Sequence, residues 1–266
     1  MRVTNKAHGK MYLLAFCSLL MAASVHAEED CYADSNWPSD QTLKASFDVL
    51  SWNLQKASGD GWQRDLKELA GDVELAFLQE ASLQAGIPEL LPGALTAVFA
   101  EGYTTTQLNT GVMTLGTAAP SKHCSFSAVE PWLRTPKAAS AATYALSGRD
   151  EHLLAINLHA VNFSLGLDSL RNQLLPLLQQ VANHTGPAII AGDFNTWSEA
   201  RQNLVDELLA AQGLTQVEFE DDKRSRPLGR PLDHVYLRGL TVEKAEVISV
   251  ASSDHNPIRL RLALVP

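Results

Sequence analysis

Residues 186–197, GPAIIAGDFNTW, constrain the fold more than any other stretch of the chain. A Gly186-Pro187 turn opens the run, and the apolar residues 188–191 have the length and composition of a buried strand. The run breaks at Gly192, and Asp193 and Asn195 follow two places apart. In an extended segment that spacing turns both side chains to one side and Phe194 to the other. Thr196-Trp197-Ser198-Glu199 has the pattern of a capping box and predicts a helix from about Trp197. A carboxylate and an amide therefore stand at the carboxyl end of a buried strand, where open α/β sheets place their ligands. An ordinary strand-to-helix turn uses the same residue types, so the other strand ends have to decide.

Four further apolar runs precede or follow it. Residues 47–52 end in Asn53, residues 75–78 in Gln79-Glu80, and residues 153–158 in His159, with Asn162 just beyond. Residues 232–237 carry Asp233 near their start, and Ser253-Asp254-His255 lies between strand-like pieces at 245–250 and 258–264. Helical spacing appears at Trp62, Leu66 and Leu69, and again at Leu170, Leu174, Leu177, Leu178 and Val181, where Pro176 predicts a kink or a late start. Leu204, Leu208 and Leu209 repeat the spacing and run to a C-cap at Gly213. Strands alternating with helices predict sheets covered by helices, and hairpin-like pieces such as 111–115 predict mixed pairing. Each polar residue alone is a common strand end or loop. Together they supply carboxylates for a hard cation, two histidines near neutral pKa and amides for phosphate oxygens, with no serine or cysteine nucleophile beside a base. Water is the attacker that such a set implies.

Residues 1–27 read as an export signal. Arg2, Lys6 and Lys10 precede an apolar core at 11–25, and Val25 and Ala27 fit a cleavage site. The alternative is an uncleaved anchor, but about 15 apolar residues fall short of the roughly 20 that span a bilayer. Phe16 before Cys17 argues against lipidation there. Cleavage after Ala27 leaves 18 basic and 30 acidic residues, net −12 with His neutral. Such a chain has no overall attraction for nucleic acid or anionic lipid, and a polyanion has to be met by a local basic patch or a metal ion. The expected location is periplasmic or secreted, with no stable membrane insertion after signal cleavage. Cys31 and Cys124 are the cysteines left, and in an oxidising compartment they can pair or stay two unrelated thiols. Residues 28–45 read as a polar leader segment, and residues 46–266 as one α/β domain with a sizeable core.

The motifs Trp52-Asn53, Gln79-Glu80, Asn157-Leu158-His159, Gly192-Asp193-Phe194-Asn195, Leu232-Asp233-His234 and Ser253-Asp254-His255 occur in an order that resembles the endonuclease/exonuclease/phosphatase family, the metal-dependent group containing DNase I-like nucleases. Residues 159–166, 221–233 and 252–257 resemble more narrowly its bacterial YafD-like branch. The resemblance implies a four-layer α/β sandwich, two facing mixed sheets with helices outside. It implies that Glu80 holds Mg²⁺ or Mn²⁺ with Asn53 beside it and Asp254 close by. It makes His255 the general base on water, oriented by Asp233, and lets Asp193 position the same water. Asn195 and Asn162 then hydrogen-bond the phosphate oxygens, and His159 binds the phosphate or protonates the leaving group. Gln55 departs from the family pattern, since several of its nucleases carry an acidic residue there.

Substrate signals are fewer. Lys223, Arg224, Arg226 and Arg230 precede Asp233 and could grip a second phosphate or a nucleic-acid backbone. Their neighbours Glu218, Glu220, Asp221 and Asp222 could equally neutralise them. Trp52, Phe163 and Trp197 could stack a base or fill the core. No membrane-insertion hairpin or exposed aromatic cluster is visible in the sequence, which disfavours lipid. The expected activity is a secreted, divalent-metal-dependent phosphodiesterase, a nuclease first. Its alternatives are a phosphomonoesterase or phospholipase C/sphingomyelinase-type hydrolase, and a binding module that has lost chemistry.

Overall fold

The computed structural model describes residues 28–33, 41–93 and 95–265. The export signal expected over residues 1–27 lies outside them. Among the described residues one sheet runs in the order β1 (Glu28–Tyr32), β6 (Lys122–Val129), β7 (Pro136–Ala145), β8 (His152–His159), β9 (Ala188–Asp193), β11 (Asp233–Arg238) and β10 (Thr215–Gln216). The other runs β12 (Leu240–Val247), β13 (Ile258–Leu264), β2 (Ser46–Asn53), β3 (Leu75–Ser82), β5 (Asn109–Gly116) and β4 (Thr96–Thr104). Pairing is parallel between β8 and β9 and between β2 and β3, and antiparallel elsewhere, so both sheets are mixed.

Side-chain alternation builds the layers. On β3, Leu75 and Phe77 enter the core between the sheets, while Ala76 and Leu78 face outward to Trp62 and Leu66 of α1 (Trp62–Ala70). The short α2 (Ile87–Leu90) adds Ile87 to that outer core. On β8, Leu153 and Ala155 face the other sheet, and Leu154, Ile156 and Leu158 face α3 (Asp168–Ala182) and α4 (Glu199–Ala210). A strand buried on both faces reads as a continuous apolar run, which is why these segments stood out in the sequence. The result is the expected four-layer α/β sandwich of two facing mixed sheets.

The elements depart from the sequence expectations in five places, one of them the end of α4, which is capped at Ala211 and not at Gly213. Residues 28–32, read as irregular leader, form β1 on the edge of the first sheet, where Cys31 lies opposite Cys124 and is joined to it by a disulfide. The register supplies the pairing that composition left open, and polar side chains on an edge strand hide its period. Pro176 neither breaks nor delays α3, which runs through it. Losing one helical bond costs about 3 kcal/mol, while burying Leu170, Leu174, Leu177, Leu178 and Val181 contributes about 1.5–3 kcal/mol each, so packing wins. Helix α4 begins at Glu199 rather than at Trp197, because Ser198 is the cap and its Oγ accepts the Arg201 N–H. Thr196 is taken elsewhere, its Oγ1 2.8 Å from the Pro231 carbonyl and 2.7 Å from His234 Nε2. The last hairpin strand, expected over 245–250, spans Leu240–Val247, since its exposed polar residues carry little apolar signal.

Candidate active site

Register brings the polar strand ends together. His159 lies opposite Asp193 in the parallel pair, and Asp193 lies opposite Asp233 in the next, so three side chains of one sheet stand on a single rung. In the facing sheet Asn53 pairs with Gln79, and Glu80 follows. Asn53 Nδ2 crosses between the sheets to donate to Asp193 Oδ2 at 3.1 Å. Below this rung Gln79 Nε2 donates to Asn157 Oδ1 at 2.7 Å, and Asn157 Nδ2 donates to backbone carbonyls of Leu78 and Met113. Buried amides thus lock the two sheets at one end. Gly192 leaves room for it: a Cβ there would stand 3.1 Å from Gln79 Nε2 of the facing sheet and 2.0 Å from the Leu158 carbonyl oxygen of its own.

Glu80 sits where the β3–β5 register slips between Leu78 and Ala81, with φ 48°. A bulge re-aims a side chain at the cost of local strain. Here it turns Glu80, which would otherwise follow the strand alternation, into the cleft.

The imidazole of His255 is over-determined. Its Nδ1 is 2.7 Å from Asp233 Oδ2, and its Nε2 faces the cleft 4.0 Å from Asp193 Oδ2. The backbone behind it is clamped by three bonds: His255 N–H donates to Ser253 Oγ, Ser253 Oγ donates to the Asn53 carbonyl, and Trp52 Nε1 donates to the His255 carbonyl. Trp52 is therefore a core residue and not a stacking platform. Burial opposes a charge on His255, but Asp233, helped by Asp193 and Asp254, overcomes it and raises the imidazolium pKa to about 10. Burial and the Asp233 carboxylate raise the carboxyl of Asp193 in turn.

Asn195 follows from an Asx-type turn, not from an extended chain: its N–H donates to Asp193 Oδ1 at 2.9 Å and its φ is 50°. One amide proton is held by the Ala160 carbonyl, leaving the other for a ligand. The loop is locked by Arg201, a buried guanidinium that donates to the Asn195 carbonyl at 2.7 Å, to Ser164 Oγ and to the Val161 carbonyl. Gln173 ties the same segment, accepting from Val161 N–H and donating to the His159 carbonyl. Sequence reasoning missed both residues. Arg201 and Gln173 follow helical spacing on α4 and α3, and nothing in a linear pattern marks a polar residue as turned inward.

His159 lies 3.8 Å from Glu80 Oε1 and 3.6 Å from Asp193 Oδ2, and its Nε2 accepts from Lys137 Nζ at 2.8 Å. Burial, with the positive charges of Lys137, His255 and Lys56 around it, holds its pKa well below that of a free imidazole. Its Nε2 presents a lone pair to Lys137, a residue that the sequence did not reveal.

These groups line a cleft of about 570 Å³ whose walls include Glu80, Asp193, Asn195, Asp254, His255 and Asn162. Of the four basic loop residues, Arg226 reaches it. Lys223 pairs with Asp221, Arg230 with Glu199, and Arg224 turns inward to Asp222 and the Asp233 carbonyl. The loop is largely neutralised by its own carboxylates, so Lys223, Arg224 and Arg230 are not brought into the site. Asn162 N–H is bound by Glu130, which joins two loops carrying Trp132, Leu133, Phe163 and Leu165, each between 54% and 75% exposed. The sequence had shown no such apolar rim, because its members come from separate loops.

Among the described residues no three His, Cys, Asp or Glu side chains stand around one point closely enough to hold a metal alone. The donors available are hard oxygens, Glu80 and Asp254, on the wall of a wet cleft. That set suits an ion that keeps several waters and takes further ligands from a phosphate, as Mg²⁺-type sites do. Asn53 is engaged with Asp193 and with the Gln55 N–H.

A model of the endonuclease/exonuclease/phosphatase family matches residues 50–255. A UPF0294 protein of Vibrio cholerae serotype O1 is 41% identical over 229 residues, covering 84% of this chain and 80% of that protein. Among solved structures, an endonuclease/exonuclease/phosphatase from Beutenbergia cavernae superposes with a TM-score of 0.65 at 16% identity, covering 83% of this chain and 72% of its own. The mannosyl-6-phosphatase of Bacteroides thetaiotaomicron does so with a TM-score of 0.59 at 17% identity, covering 82% and 99%. At such identities the solved structures speak to the DNase I-like fold alone.

Proposed function

The chain belongs to the endonuclease/exonuclease/phosphatase family and has its phosphoesterase fold, and from that premise we propose that it hydrolyses phosphodiesters by direct attack of water, with nucleic acid as its first substrate. One observation carries the reading: Glu80, Asp193, Asn195 and His255, spread over 176 positions of the sequence, line one cleft. A divalent ion, Mg²⁺ or Mn²⁺, held by Glu80 and Asp254 would neutralise phosphate charge and stabilise the leaving oxyanion.

The chain's own groups supply the rest. In its neutral form, which the positive charge of a divalent ion beside Asp254 would favour, His255 Nε2 takes a proton from the attacking water, and Asp233, accepting from Nδ1, fixes the tautomer and stabilises the imidazolium that forms. Asp193, within 4.0 Å of the same nitrogen, orients the water. The free amide proton of Asn195 meets a non-bridging oxygen, where charge increases in the transition state. The water oxygen bonds to phosphorus, the bond to the leaving oxygen breaks, and solvent returns a proton to that oxygen.

The exposed rim of Trp132, Leu133, Phe163 and Leu165 favours a second reading, a phospholipase C-type hydrolase at a lipid surface. DNA, RNA, bis-p-nitrophenyl phosphate, p-nitrophenyl phosphate and sphingomyelin, each assayed with Mg²⁺, Mn²⁺ and EDTA, separate these readings. Metal-dependent cleavage of a diester supports the proposal. Monoester cleavage alone replaces it, and silence across the panel leaves a binding module. A periplasmic or secreted location is part of the same proposal, supported by the composition of residues 1–27 and by the disulfide. N-terminal sequencing of the mature protein, starting at Glu28, is the expected result.

A further inference from the structure

A second cavity of about 380 Å³ adjoins the cleft, sharing Glu80, Lys137 and His159 with it and reaching Lys56, Tyr103 and Leu133. Asp193, Asn195 and His255 line the first cavity and not this one. In an in-line displacement the leaving group departs opposite the attacking water. With the base at His255, departure is toward Glu80 and His159, and so into the second cavity.

Its chemistry is specific. Among the described residues neither Lys56 nor Lys137 has a carboxylate within ion-pair distance, although the chain beyond residue 27 carries net −12. Lysines in so acidic a protein find carboxylate partners easily, and these two face one cavity whose carboxylate, Glu80, lies beyond ion-pair distance of either. Lys56 is delivered there by a costly backbone: Gln55, Lys56 and Ala57 have φ of 47°, 61° and 56°, a left-handed run without glycine. Asn53 holds the run by accepting the Gln55 N–H at 3.0 Å, so the residue that orients Asp193 also sets Lys56. The remaining wall is mixed, apolar at Leu133, Pro136 and Ala138 and polar at Tyr103, Thr110 and Thr135, with the Glu80 carboxylate on the side shared with the cleft.

We propose that this cavity is a subsite on the leaving-group side in which Lys56 and Lys137 hold a second anionic group of the substrate, a phosphate or carboxylate beyond the ester being cut. The inference rests on the phosphodiesterase reading and adds a substrate class to it: esters with a further anion on the departing half. Nucleotide chains, and anionic lipids cut on the headgroup side, both offer such a group, and matched pairs tell them apart. One pair is a thymidine dinucleotide with and without a phosphate on its departing nucleoside. The other is phosphatidylinositol 4-phosphate against phosphatidylinositol, each scored for release of the inositol headgroup.

The wild type is expected to prefer the member with the extra phosphate by at least tenfold in kcat/KM in one pair. Lys56→Ala, and Lys56→Ala with Lys137→Gln, should bring that ratio toward one. A ratio near one in both pairs for the wild type, or one unmoved by the lysine replacements, overturns the proposal. Calorimetric binding of inorganic pyrophosphate in EDTA tests the subsite apart from turnover: it should weaken at least tenfold in Lys56→Ala. If pyrophosphate binds and depends on Lys56 while no ester is cut, the reaction has failed and the subsite stands. If pyrophosphate binding ignores Lys56, the subsite has failed.

Discussion

The two sides of the cleft are built differently. On the base side, His255, Asp233, Asp193 and Asn195 are buried, and each is held by at least one hydrogen bond from a neighbouring element. On the leaving side, Lys56 is exposed, and the hydrogen bond found for Lys137 is the one to His159. A general base must be held in one orientation, so its side chain is over-determined. A group that neutralises an anion acts through charge and tolerates a looser position.

The largest effects should fall on the base side. His255→Ala is expected to lower kcat by 10²–10⁴, the range of general-base contributions, with KM little changed. Steady-state kinetics at saturating metal checks this, and a loss of less than tenfold removes His255 as the base. Asp233→Asn, which leaves the ring without its carboxylate, should fall in the same range.

Next comes the buried support. Arg201→Ala strips the carbonyls of Asn195 and Val161 of their donor and opens a cavity, so a stability loss of about 3 kcal/mol is expected in urea unfolding. A loss below 1 kcal/mol would mean that the Asn195 turn holds without it, and the base side would be less tightly determined than it looks.

A smaller effect concerns pH. Burial, with the nearby Arg224 guanidinium, lowers the pKa of His234 to about 3, against about 6.5 when unfolded. Between those values the unfolded chain binds a proton that the folded chain refuses, so stability falls as the pH drops below 6.5, by up to about 1.4 kcal/mol per unit. Urea unfolding at pH 7.5 and pH 5 should therefore show a drop about 2 kcal/mol smaller in His234→Gln than in the wild type. Equal drops would mean that His234 takes up its proton in the folded state.

The smallest effect is expected in the basic loop. Arg230→Glu should leave KM within twofold on any substrate, because Arg230 pairs with Glu199 away from the cleft. A tenfold rise would restore the loop to substrate binding and blur the contrast between the two sides.

Much of the cleft was legible because its residues end apolar strands. A strand buried on both faces must be a continuous apolar run, and where it stops the next polar residue projects from the sheet edge. That is how Asn53, Glu80, His159 and Asp193 could be picked from the sequence. Lys56, Lys137 and Arg201 carry no such mark: a lysine after a turn, a lysine opening a strand and an arginine in a helix are ordinary in any sequence. The basic loop stayed open in the sequence for the opposite reason. Four cations close in sequence suggest a patch, but charge is neutralised in space, and Asp221, Asp222 and Glu199 are near enough to do it.

The amino-acid order by itself determined mixed sheets covered by helices and polar residues at the strand ends, and its motifs carried the family resemblance, because hydrophobic period and strand-end chemistry are local properties written along the chain. The tertiary structure alone decided which amide orients which carboxylate, which cations stay unpaired and where the second cavity opens. Those depend on register and on the approach of two sheets, which bring together residues more than a hundred positions apart, and no local pattern encodes that distance.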